Sequence, residues 1–373
     1  MSEATGQTLS TAEAYDMGRR LQSAGDLEAA KRHYGHILVT IPHHSESLTM
    51  LASIAYQQGD DVLAAAYMDR ALAIYEEVLE RMPNNLSVRA PLVNLLLARD
   101  RRDEAERHIA KLKLPLNPIR STPDEFVRRR QQGIAKGLPT ILINALPKSA
   151  SESIWNRLAE GLGLPQAHLS LGLFPECCLV PARVVSVTDG GLASKEHLPA
   201  TPHNLDLLER HGLTKQVFHV RDPRQATLSW AHFVHDDVSM RLMGPIWRKT
   251  VPPAGVLGAD LTTQIDWCID NYLPIAVDFI QGWMEVAASS RRDIAVRFLT
   301  FELFRTDAER YLSEILAFYD IDPGLFEDPP AADTIHLRKG LVDEWRQVLS
   351  PEQQARAWRL IPSDMAETFG WEK

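Results

Sequence analysis

The dipeptide Gly25-Asp26 recurs as Gly59-Asp60, 34 residues further on. A self-match at fixed spacing implies stacked helical units, none of which can bury its apolar face alone, so it constrains the fold more than any single motif. The match extends beyond the dipeptide. Ala30 and Ala64 follow their glycines by the same step, as do Tyr34 and Met68, and upstream Met17, Gly18 and Leu21 align with Leu51, Ala52 and Ala55. These are the small and large positions at which one helix of a pair packs on the other. Pro42 closes the first unit, as a helix-terminating proline does. A third unit aligns Leu92, Val93, Leu96, Ala105 and Ile109 at an offset of 41, so the second unit carries seven extra residues. That excess predicts an extended helix through Ile74 to Met82, broken by Pro83-Asn84-Asn85.

Over about residues 9–115 this pattern resembles tetratricopeptide repeats. The resemblance implies a concave surface for a peptide or partner protein. The alternative is a packing extension that stabilises the next domain, three repeats being near the minimum for a stable stack. A chain of 373 residues has room for two or three domains. Its 45% hydrophobic and 24% charged residues are ordinary globular chemistry. A net charge of −9 argues against a general nucleic-acid binder. No apolar stretch approaches the roughly 18 residues a membrane helix needs, and MSEATGQTLS lacks the pattern of a secretory signal. Three cysteines, with Cys177 and Cys178 adjacent, make neither a disulfide framework nor a spaced zinc site. The expectation is a soluble, reduced, cytoplasmic protein with no metal.

The domain reading is repeats over 1–115, a linker over 116–137 with Arg128-Arg129-Arg130 on a short solvated helix, and an α/β domain over 138–373. Within the last, Thr140–Asn144 reads as a buried strand, followed by a loop and a helix from Ser151 to about Gly163. Arg183–Val187, Gln216–Val220 and Asp293–Leu299 read as further strands, the last followed by a helix through Tyr319. Strands alternating with helices argue a central parallel sheet. Ligands of such sheets sit at the carboxyl ends of the strands.

Four segments there carry anion chemistry. Lys148-Ser149-Ala150-Ser151-Glu152-Ser153 joins a strand to a helix N-terminus, where unpaired N–H groups, hydroxyls and a cation attract phosphate-like oxygens; it is not a Walker loop. Arg221-Asp222-Pro223-Arg224 starts a helix whose Ser229 lies two turns on, so that Arg221 and Ser229 could grip one phosphate. Arg338-Lys339-Gly340 sets two cations before a glycine. Lys195-Glu196-His197-Leu198-Pro199, read as a loop following a strand, offers a histidine as general base.

In that order, PKSxS, KxHLP, RDPRxxxxS and RKGxxxxW over roughly residues 138–360 resemble the sulfotransferases that use 3′-phosphoadenosine 5′-phosphosulfate (PAPS). The resemblance implies a P-loop-like α/β sulfotransferase domain. It puts Lys148 to Ser153 around the 5′-phosphosulfate, Arg221 and Ser229 on the 3′-phosphate, and Arg338, Lys339 and Gly340 beside them. It makes His197 the base, Lys195 a cation near the transferred group, and Lys148 the stabiliser of the leaving oxygen. Three positions depart from the pattern. Ala150 replaces a glycine, Glu152 replaces a threonine, and Trp155 sits two positions past the tryptophan that stacks on adenine in one branch, which suits a core role. Glu196 is a rival base.

The implied acceptor is a carbohydrate or glycolipid hydroxyl. A peptide tyrosine held by the repeats, or an inactive repeat scaffold, are the alternatives. His232, His235, Asp236, Asp237, Trp247, Trp267, Tyr272 and Trp283 are read as a polar rim and core aromatics, with a lid around Gly244–Gly258.

Overall fold

The computed structural model describes residues 9–236, 249–330 and 342–373. They divide into two compact units, Met1–Ala105 with His232–Gln264, and Glu106–Ala231 with Ile265–Lys373.

The first unit begins with helix pairs α1 (Thr11–Ser23) with α2 (Leu27–Thr40) and α3 (Ser45–Gln57) with α4 (Asp61–Arg81). A third hairpin, α5 (Leu86–Ala98) with α6 (Arg102–Ile109), follows. Each hairpin turns in the same way. Gly25 and Gly59 take φ of 87° and 77°, and Asp100 takes the same left-handed region at 58°. The residue after each donates its N–H to the carbonyl five back, Asp26 to Leu21, Asp60 to Ala55 and Arg101 to Leu96, at 2.9 Å each. This is the bond that closes a helix ending in a left-handed residue. The repeat spacing is therefore the spacing of this turn. Helix α4 carries the seven-residue excess and ends one residue short of Met82. Ala30, Tyr34, Leu51 and Ile54 form the buried seam of the first two pairs. After the repeats, residues 249–257 return to this unit. Val251 is buried and its carbonyl accepts from the Tyr56 hydroxyl at 3.0 Å. Asp237 and Trp247, and residues 244–248 of the expected lid, lie outside the described residues.

The second unit opens with α7 (Pro123–Ala135) in the stretch read as a linker. Arg130 of that helix pairs with Asp189 and donates to the Gly190 carbonyl, and Phe126 and Gly133 are buried. The expected parallel sheet is present, in the order β4-β1-β5-β6, from β1 (Thr140–Ala145), β4 (Leu192–Glu196), β5 (Lys215–Val220) and β6 (Ala295–Thr300). A small hairpin of β2 (Ser170–Leu171) and β3 (Cys178–Leu179) lies apart from it. Strand β1 is buried throughout, which explains its unbroken apolar run. The chain leaves β1 for β4 on one side, then crosses to β5 on the other, so the strand order reverses at β1, and sheets of this kind bind ligands at the carboxyl end of that position.

Helix α8 (Ser151–Leu162) follows β1 as expected. Its Ile154, Trp155, Leu158, Ala159 and Leu162 face the core, and left-handed Gly163 ends it. Trp155 is 1% exposed and donates from Nε1 to the Ala193 carbonyl at 3.0 Å, a core role.

The second expected strand is misplaced. Arg183–Val187 falls in a short helix, α9 (Pro181–Val185), and the strand is β4. Its β-branched residues suggested a strand, but Pro181 at the first helical position is preset for a helical turn. After α10 (Pro202–Arg210) and β5 come α11 (Pro223–Asp236), α12 (Ala254–Leu257) and α13 (Leu261–Ala288), which runs uninterrupted through Pro274. The expected helix to Tyr319 is split at Asp307 into α14 (Phe301–Thr306) and α15 (Ala308–Phe318). The chain ends in α16 (Glu344–Val348), α17 (Pro351–Arg359) and α18 (Ser363–Phe369).

Candidate functional site

The carboxyl ends of β1, β4 and β5 lie level, with Asn144 opposite Glu196 and Ala145 opposite His219. The anion loop leaves β1 there. Two of its residues are left-handed although neither is glycine: Lys148 at φ 64° and Ala150 at φ 66°. Alternating handedness turns successive N–H groups toward one side, which makes a concavity for an anion. Ala150 is the N-cap of α8 and offers no side-chain hydrogen bond to the first-turn amides of Ser151 and Glu152. Ser149 is buried, and its Oγ donates to the Leu146 carbonyl at 2.5 Å. Lys148, Glu152 and Ser153 are half-buried at the loop's edge.

Arg221 leaves the end of β5 and is 6% exposed. Its guanidinium lies over the Phe301 ring at 3.9 Å and donates from Nη1 to the Lys148 carbonyl at 2.8 Å. It thus braces the loop from beneath. Ser229 is half-buried on α11. Arg224, read only as part of the RDPR motif, is 1% exposed, forked onto Asp222 and stacked over the Trp345 ring at 3.8 Å. Arg338, Lys339 and Gly340 lie outside the described residues.

The segment read as a loop following a strand is itself the strand. Lys195 and Glu196 lie within β4, and His197 is the first residue beyond it. Alternation therefore sends Lys195 and Glu196 to opposite faces. Lys195 is 7% exposed, and its ammonium pairs with the Glu152 carboxylate of α8. The acidic side chain that stood against an anion site is neutralised by this cation. Glu196 is 2% exposed, and its carboxylate accepts from the Leu169 N–H at 2.5 Å, the Ser170 hydroxyl at 2.5 Å and the Ser194 hydroxyl at 2.7 Å. Those bonds occupy both oxygens in holding β4 to the chain around β2.

His197 is arranged differently. Its Nδ1 is 2.6 Å from the Ala145 carbonyl, which can only accept, so Nδ1 carries the proton and Nε2 the lone pair. Burial, then the charge of Lys195, pushes its pKa down to about 3, so the imidazole is neutral at physiological pH. Its position is fixed by a clasp that sequence reading missed. Asn144 of β1 donates from Nδ2 to the Leu198 carbonyl at 2.9 Å and accepts the Leu198 N–H at 2.8 Å. Trp283 Nε1 adds a bond to the same carbonyl at 2.7 Å. The one signal in sequence was a polar residue near the end of an otherwise apolar strand.

Phe174, also missed, stands edge-on to His197 with ring centroids 6.4 Å apart and contacts Tyr272 at 6.1 Å and Phe279 at 5.1 Å. Tyr272 stacks on Trp230 at 4.9 Å and is fully buried, as is Trp283. These aromatics form core beside His197.

Residues 62–116 match the tetratricopeptide repeat family model. That span covers the second hairpin's long helix and the third hairpin, where the turn at Asp100 repeats those at Gly25 and Gly59. No curated protein matches the chain in sequence. Among solved structures, a crystal structure of mouse sulfotransferase SULT7A1 complexed with PAP is similar at 14% identity with a TM-score of 0.43, covering 68% of this chain and 97% of that chain. No described helix is long and apolar enough to cross a membrane.

Proposed function

We propose that the second unit transfers a sulfuryl group from PAPS to an acceptor hydroxyl. The observation that carries this reading is the pairing of a proton-accepting imidazole, locked by the last carbonyl of β1, with an anion loop that begins at the very next residue of that strand. The ordered motifs of the sequence supply the donor's identity. The donor set fits a phosphosulfate: first-turn amides of α8 without a side-chain cap, the hydroxyls of Ser151 and Ser153, and Lys148.

Sulfuryl transfer, like phosphoryl transfer, spreads negative charge over oxygens during an in-line displacement, so positioning and charge stabilisation do most of the work. His197 Nε2 takes the proton of the acceptor hydroxyl as its oxygen attacks sulfur. Lys148 stabilises the oxygen that leaves with the phosphate. Lys195, shared with Glu152, lies close enough to His197 to lower its pKa and compensates charge on the transferred group. Arg221 and Ser229, with Arg338, Lys339 and Gly340, hold the nucleotide's 3′-phosphate. Glu196 is structural in this reading, because its oxygens are already engaged. The acceptor is a carbohydrate or glycolipid hydroxyl, and the reaction is cytoplasmic and needs no metal. The repeats serve acceptor or partner recognition.

The test is transfer of radiolabelled sulfate from PAPS to a panel of glycans and glycolipids, with tyrosine peptides as a second arm. Label in the first arm that disappears in His197→Ala supports the reading; label only in peptides moves the acceptor; none in either arm rejects it.

A further inference from the structure

His219 lies on β5, facing away from solvent, and the reaction above does not use it. It is fully buried, where a polar ring persists only if its nitrogens are satisfied. Both are. Its Nε2 is 2.5 Å from the Ser149 carbonyl, which can only accept, so Nε2 donates. Its Nδ1 is then the acceptor, and the Tyr311 hydroxyl of α15 donates to it at 2.8 Å. The two rings meet edge to face at 5.6 Å and 83°. A buried chain of bonds thus runs from α15 through β5 to the backbone of the anion loop.

The consequence follows from peptide geometry. In a trans peptide the carbonyl of one residue and the N–H of the next point in opposite directions. His219 draws the Ser149 carbonyl inward, and Arg221 draws the Lys148 carbonyl inward at 2.8 Å. The N–H groups of Ala150 and Ser149 on those same two peptide planes are therefore aimed away from the core. The left-handed φ of Lys148 and of Ala150 is the torsional counterpart of that arrangement. We propose that His219, oriented by Tyr311, is a positioning residue that turns the loop's amides toward the bound sulfate or phosphate oxygens. This deepens the sulfuryl-transfer reading and rests on it only for the identity of the ligand.

The experiment is hydrogen–deuterium exchange on the full chain without and with inorganic sulfate, followed by calorimetric titration with PAP, for His219→Leu, His219→Gln and Tyr311→Phe. Leucine removes the donor; glutamine keeps an N–H within reach of the Ser149 carbonyl; phenylalanine removes only the hydroxyl that orients the ring. A lost hydrogen bond of ordinary strength corresponds to about three- to tenfold. The protection that sulfate confers on residues 149–152 should therefore fall by about that factor in His219→Leu and Tyr311→Phe, with β1 and the body of α8 unchanged and His219→Gln recovering it. PAP affinity should fall in the same order. Unchanged sulfate protection of the loop in both His219→Leu and Tyr311→Phe overturns the proposal. So does loss of protection spread evenly over β5 and α8, which would make His219 a packing residue. If wild type ignores PAP but the loop responds as stated, the positioning role stands and the ligand assignment fails.

Discussion

Ala150 sits at φ 66° and ψ 20°, a conformation that glycine takes freely and alanine does not. A non-glycine residue there costs about 1–2 kcal/mol from the clash of Cβ with the backbone. Replacing it with glycine relieves that cost but adds freedom to the unfolded chain, which offsets about 0.4–1 kcal/mol. Ala150→Gly should therefore stabilise the second unit by about 0.5–1 kcal/mol. For a unit of this size that corresponds to a rise in Tm of about 1–4 °C. Differential scanning calorimetry of the full chain reads it directly. The effect should be confined to the transition of the unit that contains the sheet, and PAP should still bind. A fall in Tm would show instead that the methyl group packs usefully or that the loop is not left-handed at this position.

His197→Ala should lower turnover by about a hundred- to ten-thousand-fold while nucleotide affinity changes little, measured by transfer assay and calorimetry on one preparation. Because His197 is active when unprotonated and its pKa lies near 3, kcat/KM should show no histidine limb between about pH 5 and 7; a limb near pH 6.5 would contradict the assigned environment. Glu196→Gln should destabilise by about 1–3 kcal/mol through its three lost or weakened bonds, seen in urea unfolding. Full stability with abolished turnover in that variant would make Glu196 the base instead. Asn144→Ala breaks the clasp on Leu198 and should cost about 1–3 kcal/mol together with a drop in kcat; a loss of stability with kcat intact would show that the clasp does not position His197.

What was legible in the sequence was local. The apolar run from Thr140, the hydroxyl and acidic residues at Ser151 and Glu152, and the Gly-Asp turns announce a strand, a helix start and a repeat, because each is decided by neighbours in the chain. The misplacement at Arg183 shows the limit of that signal: a run of β-branched residues reads as a strand, but Pro181 at the first helical position presets a helical turn. The site's supports were illegible for a different reason. Glu152 meets Lys195 across 43 residues, Asn144 meets Leu198 across 54 and His219 meets Ser149 across 70. None of those pairs leaves a spacing motif. Nor did any feature of residues 249–257 announce that they return to the unit of the repeats.

The loop at the carboxyl end of β1, braced by His219 and Arg221, should bind the nucleotide. This is tested most directly by titrating the full chain with PAP in a calorimeter, beside Lys148→Ala and with ATP as the control ligand. The expected result is saturable one-to-one binding of PAP, at least about tenfold weaker in Lys148→Ala given the strength of charge-assisted bonds, and little heat with ATP. Absence of heat with PAP, or equal affinity in wild type and Lys148→Ala, would contradict it.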